Sequence, residues 1–219
     1  MGSAPAVRAR IGRDRSSPLR QPWRDVEYAV VDLETTGLNL RRDSIVSYGA
    51  TVIRAGRIIV SENRYGLVRP DSTVSPESMT IHGLLPSDLR GAPPLTEAVT
   101  ALDEVITGRV LVAHAAWVEE AFLERAFRMS RKRLRCRVVD TAAMARAVGA
   151  RAARCNGEPD LEVLATEVGV PVVSPHHALG DATTTAQVFL ALATRVSRLG
   201  YTTARDLITL TAADRLWPR

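Results

Sequence analysis

Apolar and polar positions change period several times along this chain, and each change marks an element. The stretch 27–34, "EYAVVDLE", is a short apolar run broken only near its end, the pattern of a central strand buried on both faces. "SIVSYGATVIRAGRIIVSENRYGLVRP" reads as two strands joined by a tight turn at Ala55-Gly56. Prolines 76, 86, 93 and 94 then punctuate a loop that holds a short helical turn near "ESMTIHG". In "LTEAVTALDEVIT" Leu95, Val99, Leu102 and Ile106 recur at helical spacing. "RVLVAH" reads as a second buried strand, and "WVEEAFLERAFRMS" as an amphipathic helix burying Val118, Phe122 and Leu123. "CRVVD" is a short strand leading into the helix "TAAMARAVGA", with Asp140 or Thr141 as its cap. "DLEVLATEVG" is a helix capped by Asp160 and closed by Gly169, and the last long helix runs from Leu179 to Arg198. Three strands first and alternating strands and helices afterwards predict an α/β domain, a mixed sheet covered by helices.

Length and charge sharpen the division of the chain. The 219 residues suffice for one well-filled α/β domain and leave too few for a second. Residues 1–24 lack apolar periodicity and hold six arginines against Asp14, so the formal charge of +5 belongs to this segment; the rest balances 23 basic with 23 acidic side chains. The expected organisation is a disordered basic leader over 1–24, an α/β domain over 25–199 and a helical C-terminal appendage over 200–219 with apolar Leu207, Ile208, Leu210 and Leu216. The leader offers sequence-independent attraction to nucleic acid, or is simply solvated chain. No apolar run approaches the roughly 18 to 20 residues of a membrane span, and no secretory signal follows the N-terminal arginines. Cys136 and Cys155 have no metal-ligand spacing and read as reduced structural residues, so a cytoplasmic location is expected.

Within the first strand the pattern contains a contradiction. Val30, Val31 and Leu33 call for an apolar core, yet Asp32 and Glu34 stand one residue apart and so point to the same face. Two like charges side by side are expensive to desolvate unless a counter-charge lies between them. The pair therefore asks for a cation, and other acids must complete its shell. Glu119 and Glu120 open the helix after "LVAH", Asp181 opens the last long helix with His176 and His177 just before it, and His82 lies in the proline-rich loop. Each signal alone fits a bland role, since acids in a first helical turn complement the helix dipole.

Taken together, these residues resemble a known pattern. "DLETTGL", an acid early in the helix after "LVAH", and a histidine five residues before the Asp of a late helix resemble the DEDDh family of 3′–5′ exonucleases. The likeness is to the epsilon-type proofreading subunits of bacterial DNA polymerase III and their stand-alone relatives. It extends over residues 26–198 and includes "RPDSTVSPESMTIHGL", "VVDTAAMARA" and "DLEVLATEVGVP". It implies a ribonuclease H-like sheet and two divalent cations, Mg²⁺ or Mn²⁺, about 3.5 to 4 Å apart across the scissile phosphate. Asp32, Glu34, Glu119 and Asp181 become the metal ligands and His176 the general base. Thr35, Thr36 and Gly37 would approach the terminal nucleotide, Leu38 would wedge against its base, and His82 would lie near the substrate.

The middle motif departs from the family. Relatives read H-N-A-x-F-D-x-x-F-L, whereas this chain has Ala115 for the amide, Val118 for the aromatic and Glu119 for the aspartate, in register with Phe122 and Leu123. Glu120 lies about 100° further round the helix and is a poor substitute. The resemblance implies release of nucleoside 5′-monophosphates from the 3′ ends of single-stranded DNA, with a polymerase or replication protein as a candidate partner and no membrane. Two alternatives stay open: a ribonuclease or oligoribonuclease of the same family, and an impaired domain that binds nucleic acid or a polymerase without cutting.

Overall fold

The computed structural model describes residues 18–154 and 157–214; most of the arginine-rich leader, Cys155 and Leu216 lie outside them. A six-stranded mixed sheet forms the centre of the fold. Strand β1 (Tyr28–Thr35) lies in its middle, antiparallel to β2 (Ile45–Arg54) on one side and parallel to β5 (Val110–Ala113) on the other. β6 (Val138–Asp140) extends the parallel half. On the far side of β2, β3 (Arg57–Ile58) and β4 (Arg64–Leu67) share one edge.

That edge corrects one expectation. The second strand of the predicted hairpin is broken by a 3₁₀ turn at Val60–Glu62. The detour satisfies polar groups that a straight strand would leave apart: Glu62 pairs with Arg54 at 2.6 Å, and the Thr51 hydroxyl donates to the Asn63 side chain at 2.7 Å. Polar demands inside an apolar run overrode the period.

Helices cover both faces. One face carries α3 (Leu95–Ile106) and α4 (Trp117–Met129), whose Leu102, Ile106, Phe122, Leu123 and Phe127 pack on Val31, Leu33 and Leu111. The other face carries α5 (Thr141–Ala147), α6 (Leu161–Val168), the long α7 (Ala178–Ser197) and α8 (Ala204–Asp214), packed on Tyr28, Val30, Val112 and Val139. Burial of each large side chain in these layers contributes about 1.5–3 kcal/mol. Short helices α1 (Pro76–His82) and α2 (Pro86–Leu89) sit beside the end of β2, closing on Val46 and Val74.

The packed core draws on residues before 25. Trp23 is only 2% exposed: its indole N–H donates to Ser197 at 2.8 Å and its ring meets Phe189 edge-on. The buried Tyr28 hydroxyl donates to the Trp23 carbonyl. On the same side Leu207 of α8 is fully buried, so residues past 200 complete the core layer. Among the described residues no helix is long and apolar enough to cross a membrane.

Candidate metal centre

Alternation along β1 decides where its acids point. Val31 and Leu33 belong to the α3/α4 core, so Asp32 and Glu34 face α7. Directly beyond Glu34 the pairing with β2 slips, since Glu34 faces Ser47 and Thr35 faces Ile45. This bulge ends the ladder and lets the 35–38 turn leave the sheet.

Asp32 pairs across the strands with Gly49, and that glycine explains how the third acid arrives. A Cβ on Gly49 would lie 2.2 Å from the Ala178 backbone. The first turn of α7 therefore rests directly on the backbone of β2, one strand from Asp32, and carries Asp181 over β1. One oxygen each from Asp32, Glu34 and Asp181 lie within 4.8 Å of one another.

Glu119 comes from the opposite face. It opens α4 and reaches the site over the end of the sheet, only 6% exposed. Its carboxylate stands outside the circle of the other three, although it repels Asp32 and Glu34. Its Oε2 is buried without a hydrogen-bond partner. Glu120 beside it is half-buried.

The electrostatics follow from crowding. Burial, reinforced by repulsion from Glu119, Glu34 and Asp181, raises the Asp32 pKa well above its usual range. Burial and Asp181 push Glu34 up to about 7. Burial, with Asp140 and Glu34 adding repulsion, pushes Glu119 to about 8. Burial takes Asp181 to about 6, held down in part by a backbone hydrogen bond from His176 and by its imidazole. Among the described residues no Lys or Arg forms an ion pair with any of the four. Acceptor-only oxygens, an orphaned buried carboxylate oxygen and no internal counter-charge fit a hard divalent cation held by Asp32, Glu34 and Asp181 with Glu119 alongside.

The remaining predicted residues divide. His176 is more than half exposed on the loop before α7, with Nε2 3.6 Å from Glu162 of α6. Leu38 projects into solvent, 71% exposed. A Cβ on Gly37 would lie 2.5 Å from the Asp43 carboxylate, which accepts from the Asn39 amide, so a side chain there would have to displace that carboxylate. Thr35 and Thr36 are buried and have structural partners: Thr35 donates to the Gly37 carbonyl at 2.8 Å, and the Thr36 hydroxyl meets Ser72 and accepts from the Ser44 amide. His82 accepts from the Leu84 amide and lies beside the Thr35 backbone; burial lowers its pKa. His114 ties strand ends together, its ring bonding Thr141 Oγ1 and the Pro159 carbonyl.

Gly49, Tyr65 and Glu162 were not singled out by reading the chain. A glycine inside a strand is a known sign of close backbone approach and marks Gly49. Tyr65 and Glu162 carry no such local signal, because their neighbours in space come from distant elements.

Comparison with known proteins agrees with this architecture. The family model described as Exonuclease matches residues 29–189. The chain is 32% identical over 203 residues to the DNA polymerase III subunit epsilon-like protein of Rhodobacter capsulatus, covering 91% of this chain and 28% of that protein. It is 26% identical over 191 residues to the DNA polymerase III PolC-type of Staphylococcus haemolyticus, covering 87% of this chain and 13% of that protein. It thus spans between an eighth and three tenths of these relatives' lengths. Among solved structures, exonuclease X in complex with 5′-overhanging duplex DNA superposes with TM-score 0.67 at 21% identity, covering 84% of this chain and 99% of that one. E. coli exonuclease I in complex with a dT13 oligonucleotide gives TM-score 0.69 at 17% identity, over 80% of this chain and 42% of that one. The chain belongs to the exonuclease family and carries its nuclease domain in the ribonuclease H-like fold.

Proposed function

We propose that the chain is a metal-dependent 3′–5′ exonuclease that releases nucleoside 5′-monophosphates from single-stranded DNA ends. The observation that carries this reading is the meeting of the Asp32, Glu34 and Asp181 carboxylates within 4.8 Å at the end of the central strand. The DNA named in the two solved complexes supports DNA as the substrate, and the polymerase III relatives support a replication or repair setting.

When bound, divalent cations would neutralise the acid cluster, polarise the scissile phosphate and lower the pKa of the attacking water. The protein's own groups do the rest. Asp32 and Glu34 are held by strand pairing on both sides and Asp181 by a close-packed helix start, so the acids are pre-organised without reorganisation cost. His176, exposed at the mouth, takes the proton from the water. The rigid 35–38 turn presents Leu38 to the terminal base, an apolar surface with nothing else to cover it.

The test is a 5′-labelled single-stranded DNA incubated with the protein and Mg²⁺, Mn²⁺ or EDTA, beside a matched RNA and the Asp32→Ala variant. The reading expects a ladder shortening from the 3′ end, abolished by EDTA and by Asp32→Ala. A faster ladder on RNA would move the substrate to ribonucleic acid. No cleavage with retained DNA binding would make the chain a binding module.

A further inference from the structure

The loop that carries His176 is held in an unusual backbone conformation. Ser174 and His176 have φ values of 40° and 59°, a left-handed region that side chains other than glycine enter only when their surroundings over-determine it. Part of that constraint comes from α7. A Cβ on Gly180 would lie 2.3 Å from the Ser174 carbonyl, so the loop lies flat on the helix, and the Val173 amide donates to the Thr184 hydroxyl. The His177 amide also closes back on the Ser174 carbonyl at 3.2 Å.

The outward side of the loop is held by a ring. Tyr65 of β4 pairs with Gly49, so it stands on the α7 face in the same row as Asp32. Its ring stacks on His177 with centroids 4.4 Å apart and planes 24° from parallel. His177 makes no side-chain cap bond to α7. The stack is thus the side-chain tie between this residue and the sheet, added to the backbone contact of Ala178 on Gly49.

We propose that Tyr65 is a positioning residue: by stacking on His177 it holds the 174–177 loop so that the His176 imidazole stands beside Asp181 at the mouth of the acid cluster. The inference deepens the exonuclease reading and rests on it for the role of His176. In this role Tyr65 acts through His177 on the place of the neighbouring ring. Displacement of a reacting group by about 1 Å costs on the order of 100-fold in rate, and that is the scale expected here.

Steady-state kinetics on 5′-labelled single-stranded DNA would compare the wild-type chain with Tyr65→Ala, His177→Ala, the double variant and Tyr65→Phe. Tyr65→Ala and His177→Ala each lower kcat by about 100-fold with KM unchanged, and the double variant is no worse than either single one, as partners in one contact require. Tyr65→Phe keeps the ring and most of the rate. A rise in KM with kcat retained would overturn the proposal and make the ring a surface for stacking bases. Additive losses in the double variant would overturn it too. A readout without turnover separates this from failure of the exonuclease reading. In NMR spectra the upfield ring-current shift of His177 and the cross-peak between His176 and Glu162 disappear together in Tyr65→Ala. Persistence of that cross-peak would overturn the proposal whatever the wild-type activity. An inactive wild-type chain, with both signals present in it and lost together in Tyr65→Ala, would sink the exonuclease reading alone.

Discussion

The two faces of the sheet deliver their acids by different means. On the α7 face, Asp32 and Glu34 are fixed by a strand paired on both sides, and Asp181 by a helix start that rests on the backbone of Gly49. These positions are set by backbone contacts that leave little slack, and the three carboxylates converge. On the α4 face, Glu119 must reach over the end of the sheet from a helix whose depth is set by Phe122 and Leu123 in the core. Its place depends on side-chain length rather than on backbone contact. It ends buried, outside the circle of the other three, with one oxygen unpartnered. A cluster built from backbone contacts tolerates no change of position, while an acid that reaches by its side chain tolerates a change of residue.

The largest effect should come from striking the converged side. Asp32→Ala and Asp181→Asn each bring DNA cleavage to the detection limit while binding of DNA persists, as measured by the end-labelled ladder and by fluorescence anisotropy. Gly49→Ala tests the backbone contact itself: its methyl would meet Ala178 at 2.2 Å, so α7 must shift and both stability and cation affinity fall. Overpacking of this kind typically costs about 1–3 kcal/mol, readable in urea melts with and without Mg²⁺.

The pH dependence should set the two faces apart. Glu119 titrates at about 8 in the folded chain against 4.5 for the free side chain, and Glu34 at about 7. Between those limits the folded state binds more protons than the unfolded one, so the stability of the metal-free protein falls as pH rises from about 4.5 towards 8. A divalent cation reverses the loss, and its effect on Tm grows with pH. Glu119→Gln should stabilise the metal-free chain at high pH, because it removes a buried charge and keeps the shape. The more open Asp181 should show less gain as Asn. Equal gains at both positions would erase the distinction between the faces.

A finer test restores the family's residue. Glu119→Asp withdraws the carboxylate by one methylene, and if the extra methylene of Glu119 misplaces its oxygens the rate with Mg²⁺ rises relative to that with Mn²⁺, since Mg²⁺ is the stricter about octahedral placement; a fall would show that the longer reach is needed. An unchanged ratio would show that α4 has already adjusted. The smallest effect belongs to Leu38→Ala. At 71% exposure the change in stability should stay within about 0.5 kcal/mol, while affinity for single-stranded DNA weakens in anisotropy titrations.

Much of this architecture is legible in the amino-acid sequence. The period-2 and period-3.6 patterns located β1, β5, α3, α4 and α7 because each buries a face of its own residues. The Asp32/Glu34 pair pointed to a cation site because two acids on one strand face repel and are costly to desolvate. The break between β3 and β4 was not legible: it follows from Arg54 and Thr51, which lie across the sheet from the residues they hold. Nor was the burial of Trp23, whose polar, arginine-rich surroundings give no hint of Ser197 and Phe189 in α7.

The amino-acid sequence by itself determined the elements, the facing of Asp32 and Glu34 along one strand and the family to which the chain belongs. These depend on local periodicity and on the order of residues, which the chain carries wherever it is folded. Only the tertiary structure decided that Asp181 would join Asp32 and Glu34 while Glu119 stood apart, and that Tyr65 would stack on His177. Those outcomes depend on how closely two backbones approach and how far a helix sinks into its core. Both are set by packing between residues distant in the chain.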